Sequence, residues 1–226
     1  RTKRLSEIGS LAAAVAHRLR TPLAAIEVAA FNIKSKLKDA SLARNLETIE
    51  KKVHESDLIV KNLLFYSAQL KKPRLRDTNV HEMVDACIDE ARKQFPSADI
   101  GIKKKYAISE GMSIKADDFQ LKELLCNIIT NAFEALEERG GVIEVKTEYN
   151  TEGTIRISIK DDGEGIDAEN IKKVCDPFFT TKVTGMGLGL TVCAQIVRMH
   201  EGFMDINSVK GEGTTVIITL PVGAAK

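Results

Sequence analysis

From Ile8 to Ile33, small and apolar residues recur at positions 8, 12, 15, 19, 22, 26, 29 and 33, in steps alternating between four and three. A second series runs Leu42, Leu46, Ile49, Val53, Ser56, Val60 and Leu63 with the same alternation. Steps of four and three keep side chains on one stripe of a helix, so each series predicts a heptad seam, broken only by Pro22 and Ser56. Lys38-Asp39-Ala40-Ser41 predicts a short polar turn between them, and hence an antiparallel hairpin. Two helices leave too much apolar seam uncovered for a monomer. Pairing two hairpins into a four-helix bundle is the economical solution, which predicts a homodimer through residues 1–72.

Lys71-Lys72-Pro73-Arg74-Leu75-Arg76-Asp77 breaks the helical pattern with a proline among charges, and residues 73–77 read as a linker. Over residues 78–226 the pattern becomes mixed α/β. Helices are expected near 79–94, 117–138 and 188–200. Strands are expected near 142–149, 154–160, 203–208 and 214–220, where β-branched residues alternate with polar ones. No internal repeat or low-complexity tract interrupts the pattern.

Composition narrows the class. Apolar residues make up 43% and charged residues 29%, with no Trp, so the core is mainly aliphatic under a polar surface. No apolar run approaches the roughly 20 residues of a spanning helix, and no leader pattern opens the chain. The expectation is a cytoplasmic protein or the cytoplasmic part of a larger one, with any sensor or membrane anchor outside these residues. Cys87, Cys126, Cys175 and Cys193 form no C-x-x-C pair and read as reduced core residues. The net charge of +1 conceals an asymmetry: 16 Lys/Arg stand against 7 Asp/Glu in residues 1–76, and 17 against 25 in the rest. A basic hairpin could meet an acidic partner, but no recognition-helix motif or aromatic interleaving points to nucleic acid. A solvated helix face is the plainer reading.

Three constellations carry candidate chemistry. Asn127 and Asn131 stand four apart on a predicted helix and point the same way; their amide oxygens suit Mg²⁺, which shares phosphate oxygens. Asp161 ends a predicted strand and is followed by Gly163 and Gly165. Its carboxylate can accept from an exocyclic amine, while glycine lets backbone approach a flat base; alone, the motif is equally a tight surface turn. Thr180, Thr181 and Lys182 precede Gly185, Gly187, Leu188 and Gly189, a glycine-rich loop that opens a helix. Such a loop presents free N–H groups and the positive dipole end to phosphate, with Lys182 adding charge.

In this order the motifs resemble the N, G1, F and G2 boxes of the ATP-binding domain shared by histidine kinases, gyrase, heat-shock protein 90 and mismatch-repair ATPases. The resemblance covers about residues 78–222 and includes the closing Gly211-Glu-Gly213-Thr214-Thr215. It implies a left-handed, Bergerat-type α/β sandwich that binds ATP and Mg²⁺. Asn131 would be the metal ligand and Asn127 would lie beside the phosphates. Asp161 would hold the adenine amine, Gly163 and Gly165 would line the base, and Thr214 would assist there. Residues 167–187 would form a lid. No P-loop motif occurs.

Ala16-His17-Arg18-Leu19-Arg20-Thr21-Pro22-Leu23 resembles the H box of sensor histidine kinases. With Val15 and Leu19 on the seam, His17 falls on the outermost heptad position. Pro22 cannot donate to the carbonyl of Arg18, so a kink is expected beside His17. The resemblance implies transfer of the ATP γ-phosphate to His17, then to an aspartate of a response regulator. Thr21 would help orient water when that regulator is dephosphorylated. One residue departs from the pattern: the family usually carries Glu or Asp directly after the histidine, and here Arg18 stands there. A guanidinium accepts no proton, so slowed autophosphorylation is expected unless another base substitutes. Two other readings follow from the same residues. An ATPase clamp of the gyrase type tends to carry a water-activating Glu where this chain has Asn127. A non-catalytic scaffold that binds nucleotide and partners is what Arg18 favours.

Overall fold

The structure, a computed structural model, describes residues 72–96, 98–106, 113–150, 153–182 and 187–223, together with Leu19 and residues 23–31, 33, 42, 45–50, 53 and 56. His17, Arg18, Thr21, Pro22 and Gly185, and the expected turn at 38–41, lie outside the described residues. Every described residue before Lys72 is helical. Their burial divides the two seams. Leu46 and Val53, seven apart, are buried, whereas Leu19, Ile26, Ile33, Leu42 and Ile49 are 41–49% exposed in the single chain. On the second helix burial alternates along the seam, whereas on the first the described seam positions Leu19, Ile26, Ala29 and Ile33 are all exposed, so an apolar stripe stays uncovered, as a segment that pairs with another helical surface requires.

Beyond Lys72 the elements are β1 (Arg76–Asn79), α1 (Val80–Gln94), β2 (Ile100–Tyr106), β3 (Ser113–Ala116), α2 (Asp118–Glu134), β4 (Gly141–Asn150), β5 (Thr154–Asp161), α3 (Ala168–Ile171), α4 (Gly189–Met199), β6 (Phe203–Val209) and β7 (Gly213–Pro221). A five-stranded sheet has the order β2-β4-β5-β7-β6, and β1 pairs with β3 in a small second sheet. Only β2 and β4 run parallel; the other pairings of the large sheet are antiparallel. Alternation along β5 turns Ile155, Ile157 and Ile159 into the core and Arg156 and Lys160 outward. Val84 and Ile88 of α1, Leu121, Leu125 and Ile128 of α2, and Val192 and Ile196 of α4 join them in one aliphatic core. Helices over a mixed sheet make the α/β sandwich expected from the sequence.

Local chemistry sets the helix starts. Asn79 caps α1, its Oδ1 accepting from the N–H groups of His81 at 3.1 Å and Glu82 at 3.3 Å. Asp117 caps α2 by accepting from Gln120 N–H at 3.1 Å, and its other oxygen accepts from Arg74 N–H at 2.9 Å. Caps of this kind are worth about 1 kcal/mol each. The backbone N–H of Asp117 in turn donates to Nε2 of the buried His200, whose Nδ1 donates to the Ile196 carbonyl, so both ring nitrogens are committed. Two of the residues read as linker, Arg76 and Asp77, are the first two of β1.

One expectation from the sequence is overturned. Cys87 of α1 and Cys126 of α2 are joined as a disulfide, not held as two reduced core residues. The side-by-side packing of the two helices brings their Cα atoms to 5.0 Å, within bridging range, although no local spacing announced it. Cys175 and Cys193 are free, as expected.

Candidate functional site

Asp161 is the last residue of β5, and it stands on the core side of the strand. Its Oδ1 accepts from Gly163 N–H at 2.9 Å and from Thr214 N–H at 3.2 Å. Both of these bonds fall on Oδ1, so Oδ2 is the oxygen placed to accept an N–H group brought from outside. Burial, with the neighbouring Asp162 charge acting in the same sense, pushes the Asp161 carboxyl above the ordinary carboxylate range, and the backbone N–H groups of Gly163, Thr214 and Asp161 itself oppose that shift without cancelling it.

Backbone walls surround this corner. Gly213 has φ +111°, and a Cβ there would stand 2.1 Å from the Asp161 carbonyl oxygen. A Cβ on Gly163 would stand 2.8 Å from Ala135 Cβ, and one on Gly165 would stand 2.0 Å from the Val209 carbonyl. Only glycine permits strands and loop to approach so closely. Ser208 completes the corner: its Oγ accepts from Ile166 N–H at 2.8 Å, donates to the Gly213 carbonyl at 2.9 Å and shares a hydrogen bond with Thr214 Oγ1 at 2.9 Å. Asp162, the next residue in the chain, accepts from Val142 N–H at 2.7 Å and pins the start of β4 to the end of β5.

Helix α2 runs from this corner to the glycine-rich loop, and its residues meet other parts of the site in order. Ala135, directly after α2, packs on Gly163. One turn back, Asn131 Oδ1 lies 3.5 Å from Lys182 Nζ, which also forms an ion pair with Glu134. A further turn back, Asn127 Oδ1 lies 3.3 Å from where a Cβ on Gly189 would be, so the start of α4 rests against this amide. Asn127 Nδ2 donates to the Glu123 carbonyl at 2.9 Å, which turns its oxygen outward toward α4. The span from Asn127 to Ala135 is about 12 Å at the helical rise of about 1.5 Å per residue. No side chain caps α4, whose first turn opens onto the same region.

The loop between α3 and α4 is clasped at its base. Phe178 N–H donates to the Gly187 carbonyl at 3.0 Å, and both residues have positive φ, 66° and 65°. Thr180 Oγ1 accepts from Lys182 N–H at 3.1 Å, and Thr181 is exposed beside them. Leu188 is buried and anchors the start of α4.

The structure thus gathers Asn127, Asn131, Lys182, Gly187, Leu188 and Gly189 along one side of α2, and Asp161, Gly163, Gly165 and Thr214 at its C-terminal end. Ser208 and Asp162 were not anticipated as site residues. Asp162 had a signal, a second carboxylate between a strand end and a glycine. Ser208 had none, because a serine in an alternating strand reads as an outward polar residue. For a divalent cation Asn131 offers a partly exposed neutral oxygen, 3.5 Å from Lys182 Nζ, as suits a hard ion that keeps waters and shares ligand oxygens.

The family model described as Histidine kinase-, DNA gyrase B-, and HSP90-like ATPase matches residues 116–224, and that of the His Kinase A (phospho-acceptor) domain matches residues 7–69. Sporulation kinase C of Bacillus subtilis (strain 168) is 31% identical over 229 residues, which cover 98% of this chain and 50% of that protein. Signal transduction histidine-protein kinase AtoS of Escherichia coli (strain K12) is 32% identical over 224 residues, covering 97% of this chain and 36% of that protein. The chain therefore spans about half the length, or less, of these curated relatives. Among solved structures, full-length ShkA in complex with AMPPNP aligns with a TM-score of 0.74 at 18% identity, covering 96% of this chain and 46% of that one, a likeness of fold. Histidine kinase ThkA in complex with the response regulator protein TrrA aligns with a TM-score of 0.68 at 27% identity, covering 98% of this chain and 64% of that one.

Proposed function

The chain belongs to the histidine kinase family, with a phospho-acceptor domain ahead of an ATPase-type domain, and on that premise we propose that it is the catalytic core of a sensor histidine kinase. It binds ATP beside α2, transfers the γ-phosphate to His17, and passes it on to an aspartate of a response regulator. The observation that carries this reading is the Asp161 corner, a buried carboxylate whose Oδ1 is fixed by two backbone donors. That arrangement leaves one oxygen to accept the adenine amine, with Gly163 and Gly165 giving the base room. Thr214 supports the carboxylate from β7. The phosphates then lie toward Asn127, Lys182, Thr180, Thr181 and the loop that runs through Gly185 and Gly187 to Gly189.

Asn131 would hold Mg²⁺, which would supply charge neutralisation at the phosphates. The protein's own part is positioning, because phosphoryl transfer requires little covalent chemistry from it. An imidazole nitrogen of His17 forms the new N–P bond, the bond from the γ-phosphorus to its bridging oxygen breaks, and ADP leaves. The ring attacks as the neutral form, which an unperturbed pKa of about 6.5 permits at neutral pH. Its N–H proton must then go to an acceptor, and Arg18 offers no lone pair for it. The half-exposed stripe Leu19, Ile26, Ile33, Leu42 and Ile49 supports a homodimer through residues 1–72. No helix among the described residues is long and apolar enough to cross a membrane. The core works on the cytoplasmic side, attached to any sensor through sequence outside these residues, and its partner is the receiver domain of a response regulator, as ThkA is bound to TrrA.

The test is incubation with γ-labelled ATP and Mg²⁺ of the parent chain, His17→Ala and Arg18→Glu. The expected result is weak acid-labile, alkali-stable label on the parent, none on His17→Ala, and a rise of about 100-fold in initial rate for Arg18→Glu. The last figure is the lower end of what a positioned base contributes. An unchanged rate in Arg18→Glu would remove Arg18 as the cause of slow transfer. Arg18 also favours a second reading, a nucleotide-binding scaffold; silence from both the parent and Arg18→Glu, with ATP still bound, would establish it.

A further inference from the structure

Glu134 is the side chain at the site that nucleotide binding leaves without a task. It ends α2, three residues beyond Asn131, and its carboxylate forms an ion pair with Lys182 Nζ. The same ammonium lies 3.5 Å from Asn131 Oδ1. The backbone at Lys182 is also fixed, since its N–H donates to Thr180 Oγ1 at 3.1 Å and its carbonyl accepts from that hydroxyl at 3.4 Å. Lys182 is therefore set against α2 at both ends, by a threonine turn and by a carboxylate.

A carboxylate here repels phosphate, so it does not hold the ligand. What it holds is the cation that phosphate would take. Two anions, Glu134 and the phosphate chain, compete for one ammonium. Resting on the nucleotide reading above, we propose that Glu134 is a positioning residue that keeps Lys182 docked beside Asn131 in the nucleotide-free protein and yields it to the phosphates when nucleotide binds. The pair is half-exposed, with side chains 41% and 34% accessible. Pairs of that exposure shift an equilibrium by about two- to five-fold. Glu134 is thus a modest brake on nucleotide affinity, acting only through Lys182 and only against ligands that carry phosphate.

The test is a double-mutant cycle read by direct calorimetric binding of MgATP to the parent chain, Glu134→Gln, Lys182→Met and the double variant. Both positions are half-exposed, and Gln keeps the shape of Glu, so the fold tolerates the changes. Lys182→Met weakens binding and Glu134→Gln tightens it. The gain from Glu134→Gln is about two- to five-fold larger with Lys182 present than with Met at 182, because only then does the nucleotide break a pair. Adenosine, which has no phosphate, binds the parent and Glu134→Gln alike. Equal gains in the two backgrounds would mean that Glu134 acts on the nucleotide without Lys182 and would overturn the proposal. Weaker binding in Glu134→Gln would also overturn it, by making the carboxylate a holder of ligand or ion. A parent chain that binds no MgATP would overturn the nucleotide reading, and the proposal with it, a result distinct from both.

Discussion

The two ends of the candidate site, strung along the C-terminal half of α2, are built from different materials. Where the helix ends, the proposed base site is made of backbone: two N–H groups on Asp161 Oδ1, and glycines at 163, 165 and 213 standing where any Cβ would collide. The proposed phosphate site is made of side chains: Asn127, Asn131 and Glu134 along the last turns of the helix, and Lys182 from the loop, the last two half-exposed. Backbone within a sheet has few alternative states, whereas long exposed side chains exchange partners at little cost. One end can recognise a fixed, flat group before it arrives. The other can change its contacts between nucleotide states, as a phosphoryl-transfer site must when ATP becomes ADP.

The largest expected effect comes from placing the same methyl group at both ends. Gly213→Ala puts a Cβ 2.1 Å from the Asp161 carbonyl oxygen at φ +111°, against backbone that cannot yield without parting β5 from β7. A loss of at least about 3 kcal/mol is expected, from overpacking and backbone strain together. At about 2–4 °C per kcal/mol, that lowers the melting temperature by about 10 °C. Gly189→Ala meets only the Asn127 amide oxygen, at 3.3 Å, and gains helix propensity; its melting temperature should stay within about 2 °C of the parent. Equal losses by thermal denaturation would erase the distinction between the two ends.

Next in size is Asp161→Asn. The asparagine keeps Oδ1 for Gly163 and Thr214 but replaces the outward acceptor with an N–H donor, which faces the donor of an adenine amine. ATP affinity should fall by about 10- to 100-fold, the value of a hydrogen bond to a charged group. Stability should move the other way. Burial raises the Asp161 carboxyl above its unfolded value, so its contribution is fully present below the ordinary carboxylate pKa and is lost as pH rises through the folded one. At neutral pH the ionised form costs stability, and Asp161→Asn should melt no lower than the parent and gain most above that titration. A variant that melts lower while binding ATP normally would make Asp161 structural only.

The same contrast governs what the sequence could reveal. The backbone-built end was legible because close approach requires glycine, and glycines spaced after an acidic strand end leave a mark in one dimension. Strands β4 to β7 were legible too, since each alternates against a buried face. β2 was not: Ile100–Tyr106 is an edge strand in which Ile100, Ile102 and Tyr106 pack on the core, but Gly101 and three consecutive lysines blur the alternation. β1 and β3 have four residues each, too few to show a period, and pair across an intervening helix and strand. The Lys182–Glu134 pair joins residues 48 apart, and the Cys87–Cys126 bridge residues 39 apart. Only tertiary packing brings such partners together.

At the backbone-built end Ser208 ties several segments through one hydroxyl, and it gives the smallest and most discriminating change. Its hydroxyl ties three segments: the Ile166 N–H beyond the glycines, the Gly213 carbonyl and the Thr214 hydroxyl. Ser208→Ala removes these bonds without adding bulk. The Ile166 N–H, part-buried, then loses its acceptor, at a cost of about 1–2 kcal/mol. Because the glycine walls remain, the sheet should hold and only the loop from Gly163 to Ile166 should loosen. Amide hydrogen exchange should show faster exchange at Ile166, with protection at Ile157 and Ile218 unchanged. ATP affinity should fall by about two- to five-fold, the share of that cost borne by the loop, and Ser208→Thr should restore both by returning a hydroxyl. If Ile166 stays protected in Ser208→Ala, glycine packing alone makes this end rigid, and the contrast with the side-chain-built Lys182 end is complete. If exchange rises across β5 and β7 as well, the base end is no more preorganised than the phosphate end, and the difference between them is one of residue type only.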